Sequence, residues 1–448
     1  MAWYPWMLNK VLLPVYQKLR SKPLLDYLDE YKNHLNWTED QLREHQWQQL
    51  LRLLTHCFEH SPFYRQHWQR AGLDSVQDIR SRDDFTRLPP VNKSVLTEHR
   101  DRVLAQTGSG GIRKSTGGST GQPFHFELNP DSNTRREAVM WRAYGWLGAG
   151  LGHKTLYLWG TDVGPQPWSK RLRNRLYHGF YNRTMLNAFA MRSDNLDSYV
   201  NEVNRVRPEA IVGYVNPLFE LARYIVEKGL TVYQPNAILT GAEPLFESQR
   251  QIIEQAFGAP TYNTYGCREV MLIAAECQAH KRLHINSDQL MVEALDEQGQ
   301  SLEQGSGDLA LTDLFNYRMP LVRYLNGDRV SLAREGCGCG NPLPVMDSAE
   351  GRKLDMLRTP SGAHIPGELF PHLFKEFPEI KRFQVRQSQL DSLDVLLECP
   401  LPLGDEAVER LQREVDKYSQ GELRVNVRRV PSIPLNASGK HRVTICEL

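Results

Sequence analysis

The pattern of apolar runs predicts an α/β protein: a large N-terminal domain built on a mainly parallel sheet with helices, then a small α+β domain. Two features predict it. Between about residue 86 and residue 350, short β-rich runs alternate with helical ones. Beyond 350 the runs become two neighbouring strands, one helix and a further strand. Strand, helix, strand with short links implies βαβ crossovers and a buried sheet. The final segment, roughly 95 residues, is long enough for a domain of its own.

Taken in order, Met1 to Leu19 mixes Trp3, Trp6, Leu8, Val11, Leu12, Leu13 and Val15 with Asn9, Lys10, Pro5 and Pro14. It reads as a segment docked on the protein, with an amphipathic contact to a membrane surface as the alternative. Residues 39–60 read as a helix, with Trp47, Leu50, Leu51, Leu54 and Cys57 at helical spacing and Ser61-Pro62 as its stop. The crossover region reads as a strand over 210–215, a helix over 218–228, a strand over 237–240, a helix over 248–257 and a strand over 261–265. After the hinge near 351–358 come strands over 383–385 and 393–397. A helix over 405–418, with Val408, Leu411 and Val415 on one face, and a strand over 423–430 follow. The expected domains are thus 1–350, with a helical region over 1–85, and 351–448.

Composition excludes several classes of function. With 40% hydrophobic and 24% charged residues the chain has a globular balance, and 54 Lys+Arg against 53 Asp+Glu leave a net charge of +1. No global field recruits nucleic acid or an anionic membrane, so any anion site must be local. No apolar run approaches the roughly 20 residues that span a bilayer, and the expected location is cytoplasmic. The seven cysteines, an odd number without a secretory leader, read as reduced thiols. Cys57, Cys399 and Cys446 sit in apolar patterns and read as core.

The chemistry-bearing stretch is Lys114-Ser115-Thr116-Gly117-Gly118-Ser119-Thr120-Gly121-Gln122-Pro123. Three glycines let backbone N–H groups turn inward, and the hydroxyls add donors around the same concavity, which is how a loop cradles phosphate. Partners follow in order: Thr240-Gly241-Ala242-Glu243-Pro244, Tyr265-Gly266-Cys267-Arg268-Glu269, Arg323-Tyr324-Leu325-Asn326-Gly327-Asp328, Gly351-Arg352-Lys353-Leu354-Asp355, and Asn436-Ala437-Ser438-Gly439-Lys440. The first two end predicted strands, where ligands bind in parallel sheets. This ordered set resembles the adenylate-forming, acyl-CoA synthetase-like superfamily, in particular the phenylacetate-coenzyme A ligase family and its CapK-like branch of capsular polysaccharide biosynthesis. The resemblance runs from about residue 40 to the end.

That resemblance implies a large adenylate-forming domain, a mobile C-terminal lid, and a reaction in which a carboxylate attacks the α-phosphorus of ATP before a thiol or another nucleophile displaces AMP. Ser115, Thr116, Gly117, Gly118, Ser119, Thr120 and Gly121 would hold the β- and γ-phosphates. Gly241, Ala242 and Glu243 would line the adenine and Tyr265, followed by Gly266, would cover it. Glu269 would hold Mg²⁺, Asp328 the ribose hydroxyls, and Arg352 ribose or phosphate. Lys440, on the lid, would reach the α-phosphate and the carboxylate as the catalytic lysine. Tyr157, Trp159 and Tyr214 are candidates for the acyl pocket wall, against an ordinary core role. The expected ligands are a small carboxylic acid, ATP and coenzyme A, and a homodimer is an expected assembly.

Two departures from the family pattern stand out. Gln122 occupies the position where the superfamily usually has Lys, so the loop leans on backbone donors and Lys114; Leu354 replaces the first Asp of the hinge motif. Leu354 and the CapK likeness favour an amine or hydroxyl acceptor as the alternative to coenzyme A. A non-catalytic nucleotide-binding scaffold is the second alternative. Finally, Cys277 with His280 and Cys337 with Cys339 are soft-ligand pairs of the type that close a structural zinc site, with His284 able to replace His280.

Overall fold

The computed structural model describes residues 3–105, 110–116, 124–160, 167–192, 194–279, 282–350, 357–365, 367, 369–374, 377, 380, 382–399, 401, 403–433 and 443–448. The chain divides into two compact units. The first comprises Met1–Ser115, His125–Gly152 and Tyr262–Gly351; the second comprises Thr116–Phe124, His153–Thr261 and Arg352–Leu448. Residues 153–261 therefore group with 352–448 rather than with the rest of 1–350.

The second unit holds the parallel sheet. Its strands run in the order Arg183–Asn187, Thr155–Trp159, Ala210–Tyr214 and Ala237–Gly241, all parallel, with Thr155 opposite both Arg183 and Ala210. Helices Val215–Lys228 and Glu247–Phe257 follow the expected strands within a few residues of their expected bounds. Gly229 ends the first of these with a left-handed φ of 60°, a conformation that costs glycine no Cβ clash. The C-terminal segment adds a four-stranded sheet in the order Arg424–Arg429, Ser392–Glu398, Arg382–Gln389 and Thr444–Cys446, with helix Asp405–Ser419. Leu411 and Val415 of that helix are buried, whereas Val408 is only half-buried. Leu156, Ile211, Tyr214 and Ile238 share one apolar core with Phe370, Phe383, Val395 and Leu411.

The first unit is built differently. From Thr261–Cys267 onward the strands form an antiparallel set in the order Thr261–Cys267, Met271–Glu276, Leu283–Ile285, Val345–Glu350, Tyr324–Leu332, Gly305–Asp313, Leu290–Leu295 and Ser301–Leu302. The βαβ alternation read across 86–350 is thus confined to its first part. The reason is visible in the links: two to twelve residues join these later strands, with no helix among the described residues of any link, whereas parallel pairing needs a crossover of about a dozen residues or more, usually helical. Val91–Asn92 pairs parallel with Tyr324–Leu325.

Helix Glu39–His60 forms as expected and starts at a reciprocal cap, with Gln41 N–H donating to Thr38 Oγ1 at 3.2 Å and Thr38 N–H to Gln41 Oε1 at 2.8 Å. Its buried stripe is Leu42, Gln46, Leu50, Leu53, Leu54 and Cys57; Trp47 and Leu51 lie at the edge. Gln46 enters the stripe because its amide donates to the carbonyls of Ser287 and Leu290. Cys57 and Cys399 are buried, while Cys446 is only half-buried.

Candidate active site

In the first unit, a turn between adjacent strands places the acid that the sequence singled out. Glu269 lies between Thr261–Cys267 and Met271–Glu276, and is 2% exposed. Its carboxylate accepts from the Tyr324 hydroxyl at 2.8 Å and lies 3.4 Å from the Lys93 ammonium. Burial alone would raise this carboxyl, but Lys93 and Tyr324 more than offset it and hold it below the usual carboxylate range. Arg136 caps the same turn, donating to the carbonyls of Arg268 and Glu269 at 3.2 and 2.8 Å. Gly266 is required here: a Cβ would lie 1.9 Å from the Met271 carbonyl oxygen, at a break in strand register.

On the strand Tyr324–Leu332, Asp328 accepts from the Tyr265 hydroxyl at 2.8 Å and from the Asn326 amide at 2.7 Å, while its own N–H donates to Asn326 Oδ1 at 3.0 Å. Burial, then the Asp328 charge, pushes the Tyr265 phenol far up, so it stays a donor. Tyr265 thus binds Asp328 through its hydroxyl, a second task beside the stacking role expected of its ring.

Strand Ile112–Ser115 pairs antiparallel with His125–Leu128, bringing Lys114 opposite Phe126 and Ser115 opposite His125. Lys114 is drawn down to about 8, first by burial and then by repulsion from Arg136 and Arg268, with Glu137 opposing. Cations crowded in this way attract an anion. In the second unit Thr116 is buried and closes the loop at its base: its N–H donates to the Phe124 carbonyl at 3.0 Å and its Oγ1 accepts from the Phe124 N–H at 3.0 Å. Gly117, Gly118, Ser119, Thr120 and Gly121 lie outside the described residues, as do Arg352, Leu354 and Lys440.

The second unit places Gly241, Ala242 and Glu243 at the carboxyl end of the Ala237–Gly241 strand. Ala242 holds a left-handed φ of 67°. Glu243 accepts from the Asn216 N–H at 2.7 Å and from its side-chain amide at 2.6 Å, which ties the strand end to the N-terminus of helix Val215–Lys228. The Trp159 and Tyr214 rings meet at 4.2 Å between centroids, and Phe189 lies 6.1 Å from Tyr214. Tyr157 instead lies under the Arg183 guanidinium at 5.1 Å.

No protein-family model matches the chain. Protein CapK of Staphylococcus aureus is 27% identical over 253 residues, which cover 56% of this chain and 55% of that one, so the chain spans about half the length of that relative. The phenylacetate-coenzyme A ligase of Thermus thermophilus is 25% identical over 394 residues, 83% of this chain and 86% of its own. The chain is thus similar in sequence to CapK over part of its length and to a phenylacetate-coenzyme A ligase over most of it. A 2-hydroxyisobutyryl-CoA ligase, in complex with 2-HIB-AMP and CoA in the thioesterification state, has the same fold, with a TM-score of 0.61, 19% identity, and coverage of 91% of this chain and 90% of that one.

Within this adenylate-forming fold, the structure joins Glu269 to Tyr324, and Tyr265 to Asp328. Three partners escaped the sequence reading: Lys93, Asn216 and Arg136. Lys93 had a faint signal, since Asn92 before it caps helix Lys93–Glu98 by accepting from Val95 N–H at 3.1 Å. Asn216 and Arg136 are legible only once helix and strand are paired.

The soft ligands also converge. Cys277, His284, Cys337 and Cys339 lie with their ligand atoms all within 4.8 Å of one another. Cys277 and Cys337 sulfurs are 3.5 Å apart, and Cys339 Sγ is 3.3 Å from His284 Nε2. Tetrahedral zinc with S and N ligands at about 2.0–2.3 Å needs ligand separations of about that size. His284 Nδ1 meets the Leu343 carbonyl at 3.2 Å, which turns Nε2 toward the sulfurs. His280 lies outside the described residues, and His284 stands at the cluster.

Proposed function

We propose that this protein is an AMP-forming acid–thiol ligase, which activates a carboxylic acid as an acyl-adenylate and passes the acyl group to coenzyme A. The observation that carries the reading is the pair of held carboxylates: Glu269 buried and kept ionised by Lys93 and Tyr324, and Asp328 braced by Tyr265 and Asn326. A core turn needs no buried carboxylate at such cost, whereas a nucleotide site needs one acid beside phosphate and another for ribose.

The division of labour follows. Asp328 takes the ribose hydroxyls, and the Gly241–Glu243 turn lines the adenine. Lys114, with Arg136 behind it, draws the polyphosphate toward the 115–121 loop and supplies the charge that Gln122 does not. Glu269 would hold Mg²⁺, a hard cation for which one protein carboxylate completed by water and phosphate oxygens is a fitting shell, and which neutralises developing phosphoryl charge when bound. Lys93, 3.4 Å from Glu269, shares that carboxylate and lowers the charge the metal site presents. Arg352 and Lys440 act from residues 351–448, the proposed small domain, with Lys440 on the α-phosphate and the attacking carboxylate. Trp159 and Tyr214 are proposed as acyl pocket wall. Cys277, His284, Cys337 and Cys339 are proposed to hold one structural zinc ion, closed to substrate, and a cytoplasmic location fits this substrate set.

The test is pyrophosphate release from ATP and Mg²⁺ across aryl, fatty, hydroxy and amino acids, with and without coenzyme A. Acid-dependent release should fall at least about 100-fold in Lys440→Ala and in Asp328→Ala. Acceleration by coenzyme A names the acceptor, while release that only amines or hydroxyl compounds accelerate would favour the second reading, to which Leu354 points. An absence of release with every acid would overturn the ligase. Zinc content is read separately: about one ion per chain, lost in Cys339→Ser.

A further inference from the structure

The helix Trp168–Phe180 presents the wrong side to water. Trp168, Leu172 and Leu176 recur at four-residue spacing and fall on one stripe, and they are 72%, 48% and 66% exposed. Over 168–178 the half-buried positions are instead Lys170, Asn174 and His178, a polar stripe, and Phe180 at the C-terminal end is the one half-buried apolar residue. A surface helix ordinarily turns its apolar stripe to the core and its polar stripe outward. Here the order is reversed, and no residue of this helix is fully buried.

Its charge is as one-sided as its exposure. Lys170, Arg171, Arg173 and Arg175 fall within these thirteen residues, with no Asp or Glu among them. At 100° per residue, Arg171 and Arg175 border one edge of the apolar stripe and Arg173 the other. A large aromatic side chain, two leucines and flanking guanidinium groups form the pattern of a helix lying in a lipid–water interface.

A similar composition recurs in the first unit. The consecutive helical segments Trp3–Met7, Leu8–Leu12 and Leu13–Arg20 bury Leu8 and Leu13, yet expose Trp3 at 71% and Leu19 at 78%, with Trp6, Val11 and Val15 also exposed. Lys10, Lys18 and Arg20 lie among them, and the first acidic residue after them is Asp26.

We propose that this protein docks peripherally on an anionic bilayer surface through the 168–180 helix, with Trp168, Leu172 and Leu176 in the interface and Arg171, Arg173 and Arg175 at the phosphates. The 3–20 segment is a second contact of the same kind. Among the described residues no helix is long and apolar enough to cross a membrane, so the contact is with the surface. A second copy of this chain is a poor occupant, because it would bring the same four cations against themselves. An acidic protein would answer the charge but offers no fluid apolar layer for three large side chains in a row. The proposal is independent of the ligase reading.

Flotation of the full chain with vesicles tests it. At 0.1 M NaCl the protein should float with phosphatidylcholine vesicles containing 30% phosphatidylglycerol, stay behind with pure phosphatidylcholine, and release at 0.5 M NaCl. Replacing Arg171, Arg173 and Arg175 together by Glu should lower partitioning by about 100-fold or more, since each cation near an anionic surface is worth about fivefold. Leu172→Ser with Leu176→Ser should lower it by about tenfold. Circular dichroism and melting temperature check that each variant folds. Should the triple variant fail, Arg171→Gln with Arg175→Gln reads the same effect at smaller amplitude. Wild-type protein that ignores the anionic vesicles overturns the proposal, as does partitioning that the helix variants leave unchanged. A concentration-dependent dimer abolished by the leucine variants, without lipid binding, would assign the stripe to a second copy and overturn it equally.

Discussion

In the first unit charge is taken inside, whereas the second unit buries hydrocarbon. Asp288, 0% exposed, accepts from both terminal nitrogens of Arg142 and meets His34 Nδ1 at 2.9 Å. Arg323 pairs with Glu293 at 3.2 Å, with both side chains buried, and Glu127 gathers Arg100 at 2.7 Å and Arg318 at 3.0 Å. The described ion pairs of the second unit lie toward solvent instead, and its interior is the apolar set around Ile211, Phe370 and Phe383. Buried ion pairs seldom add net stability over hydrocarbon of the same shape. Their concentration in the unit that carries Glu269 and Asp328 marks a framework that fixes the positions of charges.

The largest break in this contrast should come from Asp288→Asn. It leaves the Arg142 charge buried without its counter-ion, and the expected loss is about 3–5 kcal/mol of unfolding free energy, read by denaturant titration. Burial would raise the Asp288 carboxyl, but Arg142 and His34 overcome it and hold it at about 2. A depressed carboxyl stabilises above its ordinary 3.8 and loses that contribution as pH falls toward 2. The wild type should therefore lose about 2 kcal/mol over that interval that the variant does not lose.

Asp313 sharpens the comparison with the opposite sign. It is fully buried, accepting from the Gln289 amide at 3.2 Å, and burial pushes it up to about 6. A raised carboxyl contributes stability that is present below 3.8 and lost as pH rises through about 6. At up to 1.36 kcal/mol per pH unit, the wild type should lose about 2 kcal/mol between pH 4 and pH 6, and Asp313→Asn should flatten that slope. A slope that survives in the variant would assign the effect to another group.

How much of this was readable in advance follows the same division. The second unit was legible because continuous apolar strands such as Ala210–Tyr214 and capped helices such as Val215–Lys228 are written in local pattern. The antiparallel set after residue 261 was read as more of the same alternation, since strand direction depends on links and register rather than on the strands themselves. In the site, Glu269 and Asp328 were marked by their neighbours in sequence. Their partners Lys93, 176 positions before Glu269 by residue number, and Tyr265, 63 before Asp328, come together only in the folded unit. The zinc ligands divide likewise: the cysteines were paired by spacing, but the choice of His284 needed the antiparallel pairing of His284 with Val345.

In the apolar unit, Ile211→Val removes one buried methylene group from the sheet centre and should cost about 1 kcal/mol. That loss should be the same at pH 4 and pH 7, because no ionisable group is removed. A pH-dependent difference would show that the second unit's interior is coupled to titrating groups after all, and the contrast with Asp288 and Asp313 would fail.

The smallest effect belongs to the surface of the same unit. Arg223 pairs with Glu220 at 3.5 Å and Glu227 at 3.1 Å along helix Val215–Lys228, with 43% of its side chain exposed. Water screens both pairs, and holding a long side chain in one geometry costs entropy that offsets the Coulomb gain. Arg223→Ala should shift stability by less than about 0.5 kcal/mol, and 0.5 M NaCl should remove most of that difference, because the Debye length then falls to roughly 4 Å. A loss above about 1 kcal/mol would mean that the guanidinium stem packs on Phe219, 6.0 Å away, as structural hydrocarbon. The second unit would then draw its stability from apolar contact even where its surface carries charge.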